Sequence, residues 1–168
     1  SSSGGGLAPA GDVNGDGYAD VIVGAPGWDS TVTDGGAAFV YYGRGGTFPA
    51  YAWRVEGGQA GQRLGFSVSG AGDVDGTGYG DVIVAAPYYT NGFGTPTEGA
   101  AFVYLGSATG LASTAVWTLD LDLDQSGGRI FPGPGAAAAA VGLLRSQCDL
   151  QGRVVPGARA RTGCCRPV

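Results

Sequence analysis

A sixteen-residue segment that occurs twice constrains this chain more than any other feature. GDVNGDGYADVIVGAP at 11–26 returns as GDVDGTGYGDVIVAAP at 72–87, identical at 12 of 16 positions and displaced by 61 residues. The correspondence continues with GAAFVYYG at 36–43 and GAAFVYLG at 99–106, now displaced by 63, and with Trp53 and Trp117, displaced by 64. The added residues fall between apolar runs and not inside them, which is how strands joined by surface loops tolerate insertion. A chain built this way folds as a series of similar supersecondary units, each burying part of its apolar surface against the next.

Those units are all-β. Of 168 residues 35 are Gly and 9 are Pro, too many backbone punctuators for long helices, and the Val, Ile, Tyr, Phe and Trp residues gather in short runs between them. The second copy predicts four strands, Leu64 to Ser69, Val82 to Ala86, Ala100 to Leu105 and Ala115 to Leu119. The unbroken apolar runs Val21 to Val23 and Val82 to Val84 suit strands covered on both faces. In the first copy Gly4 to Ala10 occupies the slot of the first strand without a β-forming pattern, so that strand is expected to be missing.

Between the first two strands of each copy lies an oxygen-rich loop. Asp12, Asn14, Asp16 and Asp20 stand at positions 1, 3, 5 and 9, with the Tyr18 carbonyl available at position 7 and Gly17 permitting a sharp turn at position 6. The second loop offers Asp73, Asp75, Thr77, the Tyr79 carbonyl and Asp81 around Gly78. Alternate oxygen donors closing on one centre are the donor set of a hard cation such as Ca²⁺. Asp, Asn and Gly are also ordinary turn residues, but turns do not need an acid at every second position, twice, in one register. Each loop carries three carboxylates, so one Ca²⁺ leaves a local charge of −1. Thr77 puts a neutral hydroxyl where the first loop has Asp16, and the second site is therefore expected to bind more weakly. An EF-hand is excluded, because its twelfth position needs an acid followed by a helix, and position 12 here is Val23 or Val84. Tandem nonapeptide β-roll repeats are excluded by the long period.

The series RLGFSVSGAGDVDGTGYGDVIVAAP followed by GAAFVYLG resembles the FG-GAP repeat of integrin alpha subunits and of many bacterial secreted or surface proteins. Leu64 and Gly65 stand in the Phe-Gly slot, Gly24, Ala25 and Pro26 match Gly-Ala-Pro, and Ala85, Ala86 and Pro87 depart by one residue. The resemblance covers residues 11 to about 129. It implies β-propeller blades of four antiparallel strands with Ca²⁺ in the loop between the first two strands, and a noncatalytic module in an adhesion or ligand-binding propeller outside the cell or on its surface. Propellers close with about four to eight blades. Two blades with a tail make an incomplete propeller, so the resemblance implies a fragment of a longer chain, or self-association, with a protein or carbohydrate ligand that no residue identifies.

On this reading 1–10 is a truncated or flexible segment, 11–59 a partial first blade, 60–124 a second blade, and 125–168 a degenerate third repeat with an irregular tail. Arg129 and Ile130 begin a third copy, but no Asp-rich loop comes after them. From Ile130 onward 22 of 39 residues are Gly, Ala, Pro or Arg, as expected either of GC-rich coding DNA read in another frame or of a divergent terminal cap, with a short helix over Ala136 to Leu144. The charge divides at the same place, with a net of −10 over 1–128 and +5 over 129–168. An acidic body without Lys is a poor partner for nucleic acid and a good one for a divalent cation. Cys148, Cys164 and Cys165 all lie in the tail and say little about the redox setting of the body. No apolar stretch is long enough to span a membrane and no signal segment is visible.

Enzymatic chemistry has little to work with. There is no His, the commonest general base, and Ser67, Ser69 and Ser113 have no evident partner. Asp120, Asp122 and Asp124 alternate along a predicted strand, which would gather them on one face, either as a carboxylate cluster of a hydrolase or lyase or as charges that keep an exposed edge from aggregating. Trp28, Tyr88, Tyr89 and Phe93 come after the second strands and are expected either to form a recognition surface or to pack on the neighbouring blade. A truncated gene product without an independent role is the remaining alternative.

Overall fold

Short β-branched and aromatic runs between glycine turns have one local solution here, the antiparallel meander, and the chain takes it twice. A computed structural model describes residues 5–45, 50–90, 99–120 and 166–167. The first blade consists of β1 (Leu7–Gly11), β2 (Asp20–Ala25), β3 (Ala37–Tyr41) and β4 (Trp53–Glu56). The second consists of β5 (Ser67–Gly72), β6 (Asp81–Ala86), β7 (Ala100–Tyr104) and β8 (Trp117–Asp120), with the two-residue strand β9 (Arg166–Pro167) added beside β8. Every pairing within the sheets is antiparallel and joins strands that are consecutive among the described residues. The described residues contain no helix. This is the all-β, blade-like architecture expected of an incomplete propeller, without ring closure.

β1 corrects the expectation that the first copy lacks its first strand. Leu7, Ala8 and Pro9 pair with Val23, Ile22 and Val21, and the Gly24 N–H donates to the Gly6 carbonyl at 2.8 Å. The strand is held by backbone pairing and by packing against β5, neither of which needs the β-branched pattern that LAPAG lacks. Pro9 is tolerated because β1 is the edge of its sheet.

β5 begins three residues later than expected. Arg63 and Gly65 both have positive φ, 55° and 82°, so Leu64 to Phe66 form a bend that a strand cannot include. At its other end β5 runs on through Gly70–Ala71–Gly72, where close approach to the first blade replaces side-chain packing: a Cβ on Gly70 would lie 2.7 Å from the Pro9 carbonyl oxygen. The other strands of the second copy fall within two residues of their expected positions.

The two blades share one core. Alternation sends Ala10, Ile22, Ala38, Val40 and Trp53 from the first sheet against Val68, Val82, Val84, Ala86 and Tyr104 from the second. Trp53 meets Tyr104 edge to face with ring centroids 4.9 Å apart, and its indole N–H donates to the Ala112 carbonyl at 2.9 Å. β6 is buried on both faces over Asp81 to Val84, whereas β2 alternates buried and partly exposed. The expectation of double coverage thus holds for Val82 to Val84 and fails for Val21 and Val23, because among the described residues no further sheet lies on that side of β2.

Candidate metal centre

Each oxygen-rich loop leaves its first strand through the same irregularity. Pairing shifts between Pro9 and Gly11 in β1 and between Gly70 and Gly72 in β5, so Ala10 and Ala71 are extra residues in a bulge that bends the strand and re-aims the loop beyond it. Gly11 and Gly72, with φ of 82° and 74°, complete the turn toward Asp12 and Asp73.

Position 9 is the anchor in both copies. Asp20 and Asp81 are fully buried. Asp20 Oδ2 accepts from the Val13 N–H and Oδ1 from the Gly43 N–H, both at 2.8 Å. Asp81 Oδ2 accepts from the Val74 N–H at 2.6 Å and Oδ1 from the Gly106 N–H at 2.8 Å. Each carboxylate ties its own loop to the chain leaving the third strand and keeps lone pairs free for another partner. Gly43 and Gly106, whose N–H groups hold the two anchors, are residues that the loop motif alone misses, although both close the repeated GAAFVY segments. A Cβ there would meet the Ala19 or Gly80 carbonyl oxygen at 2.2 Å.

The carboxyls at position 1 shape the loops. Asp12 accepts from the Gly15, Asp16 and Gly17 N–H groups, and Asp73 from those of Thr77 and Gly78. The two loops then diverge. In the second, the Thr77 hydroxyl and N–H both donate to Asp75 Oδ1, at 2.7 and 3.1 Å. In the first, Asp16 accepts from the Tyr18 N–H at 2.9 Å and from the Asn14 amide at 3.1 Å.

The outcome is that Asp73, Asp75 and Asp81 bring carboxylate oxygens within 4.8 Å of one another. Asp12, Asp16 and Asp20 do not form such a group. Two oxygens on one Ca²⁺-sized ion, each at about 2.3–2.6 Å, lie at most about 5 Å apart, so the second loop fits a divalent cation as it stands. A donor set of oxygen alone selects hard cations over zinc or copper.

Electrostatics point the same way. Burial pushes the Asp81 carboxyl above its ordinary value; the Gly106 and Val74 N–H groups oppose this, and the neighbouring Asp75 and Asp73 reinforce it. Asp20 is raised for the same leading reason, against Val13 and Gly43 and with help from Asp16 and Asp12. The exposed Asp73 is lowered, chiefly by the Gly78 N–H. A buried carboxylate facing two others is unfavourable until a cation joins it.

The remaining candidates divide. Trp28 and Tyr51 stack edge to face on Phe39 at 5.3 Å, so Trp28 rests on its own blade and stays 39% exposed. Tyr89 stacks on Phe102 and packs against the shared core, and the Arg63 guanidinium lies over the Tyr88 ring. Ser67 is buried. Phe93, Asp122, Asp124, the third repeat, the Ala136 to Leu144 segment and the three cysteines lie outside the described residues. No helix among the described residues is long and apolar enough to cross a membrane.

Residues 3–41 match the family described as FG-GAP repeat, a span that includes β1. Integrin alpha-6 of Gallus gallus is 34% identical over 110 residues, 65% of this chain and 10% of that protein. Integrin alpha-4 of Xenopus laevis is 36% identical over 104 residues, 61% of this chain and 10% of its own length. Integrin alpha-PS5 of Drosophila melanogaster is 36% identical over 144 residues, 84% of this chain and 13% of that protein. The chain thus spans about a tenth of the length of these relatives. It carries an FG-GAP repeat match in its first blade and is similar to integrin alpha subunits over a small part of their length.

Proposed function

We propose that this chain is a noncatalytic, calcium-stabilised portion of an adhesion or ligand-binding β-propeller that works outside the cell or on its surface. The observation that carries the reading is the approach of Asp73, Asp75 and Asp81 within 4.8 Å around a buried anchor, in a loop whose sequence pattern recurs in the preceding blade. Asp73, Asp75, Asp81, the Thr77 hydroxyl and the Tyr79 carbonyl would hold one Ca²⁺. Asp12, Asn14, Asp16, Asp20 and the Tyr18 carbonyl would hold another once cation binding draws the three carboxylates together. The ion supplies charge compensation and cross-linking of the loop, which is a structural role. Millimolar calcium outside cells matches the affinity of open loops in extracellular modules, about 10⁻⁴–10⁻³ M. The partners on this reading are a protein or carbohydrate ligand and further blades, supplied by a longer chain or by self-association.

Calorimetric titration of the full chain with CaCl₂ tests the proposal. Heat saturating near millimolar calcium, with a melting temperature that rises in parallel, is the expected result. A flat titration of folded protein would sink it.

A further inference from the structure

The two loops touch through Asp12 and Tyr79, two of the residues that would hold the ions, and through residues beside other donors. The Gly80 N–H donates to the Asp12 carbonyl at 2.7 Å, and the Ser107 N–H donates to the Val13 carbonyl at 3.1 Å. The Tyr79 ring lies against Gly15, where a Cβ would come within 2.5 Å of it. Asp12 is the first donor of the first loop. Gly80 sits between Tyr79 and Asp81, the last two donors of the second, and Ser107 adjoins Gly106, whose N–H holds Asp81. Fixing Asp12 therefore fixes the backbone on which the second loop's donors at positions 7 and 9 are mounted.

Resting on the calcium reading above, we propose that the two loops take up cations with positive cooperativity, and that Gly80 is the positioning residue through which each site senses the other. The ordering of the shared backbone is met once, by whichever ion arrives first, so the second ion binds to a loop already set. Coupling of this kind is reciprocal: the factor by which the first site strengthens the second equals the factor in return. Gly80 is suited to the role because nothing larger fits. A Cβ there would lie 2.9 Å from the Ala10 carbonyl oxygen and 3.1 and 3.2 Å from the Asp12 nitrogen and oxygen.

Calcium titration calorimetry on the full chain and on Asp12→Ala, Asp16→Asn and Gly80→Ala forms, each checked by circular dichroism, tests this. Wild type is expected to bind with a Hill coefficient above one. Asp12→Ala, or the milder Asp16→Asn at the exposed loop tip if the former does not fold, should weaken the surviving second loop about fivefold or more. Gly80→Ala keeps every donor and should bring the Hill coefficient to one with both sites still filling; a merely structural role would lower affinity or stability and leave cooperativity in place. Two independent sites in wild type, or an unchanged second loop in the first-loop variants, would overturn the coupling and leave the calcium reading standing. Calcium uptake by one loop alone also ends the coupling, and uptake by neither ends both.

Discussion

Strands β2 and β6 carry the same Asp-Val-Ile-Val core, yet Val82 and Val84 are fully buried where Val21 and Val23 are partly exposed. The side chains are identical and the neighbours are not. The face of β6 that bears Val82 and Val84 rests on the first blade, and among the described residues nothing rests on the matching face of β2. Burial in a repeat protein is thus a property of a position in the stack, and stability divides into a term within each sheet and a term between sheets. The loops repeat the lesson at smaller scale. Exchanging Asn and Asp at positions 3 and 5 for Asp and Thr keeps three carboxylates but gathers them only in the second loop.

The sharpest way to break the comparison is at the seam. Trp53→Ala removes the indole that joins the blades and is expected to cost about 3–5 kcal/mol in a denaturant titration; Trp28→Ala, on the open side, should cost much less. Calcium comes next. At a hundredfold excess over its dissociation constant an ion stabilises by about 2.7 kcal/mol per site, and Asp75→Ala should abolish one site's share of the rise in melting temperature. Smaller still is the paired test of the strands. Val84→Ala should cost about 1.5 kcal/mol, from about 0.8 kcal/mol per buried methylene, and Val23→Ala about half of that, so equal costs would mean that the open face of β2 is covered in solution.

The smallest expected effect is that of pH. Asp20 and Asp81 have carboxyls raised by burial, so the folded state binds more protons than the unfolded chain in the window above the ordinary carboxylate value of 3.8. Stability without calcium should then fall as pH rises through that window. The lowered Asp73 opposes this, but it is exposed and water screens it. Saturating calcium favours the ionised forms and should flatten or reverse the slope, which thermal melts from pH 4 to 7 with and without the ion would measure.

Much of the fold was legible in the sequence because the repeat compares the chain with itself. Strands β6 and β7 arise from β-branched runs between glycines, and the loop from its alternating oxygens. β1 was not legible, because backbone pairing to β2 and the support of β5 form it and no side-chain pattern announces either. The start of β5 was hidden by the positive φ of Arg63, a conformation that its residue type does not advertise. In the candidate site, spacing picked out the carboxylates and missed their anchorage: Gly43 and Gly106, just beyond β3 and β7, supply backbone N–H groups from chain distant in sequence. Nor could spacing show that Asp16 bonds to Asn14 while Asp75 bonds to Thr77, since that is settled by loop hydrogen bonding and not by donor count.

The tryptophan at the seam gives the molecule a built-in optical gauge. Trp53 is buried against Tyr104 with its indole N–H bonded across to the second blade. Parting the blades would wet that ring and move its fluorescence to longer wavelength, while fraying of an outer loop would leave it dark to the change.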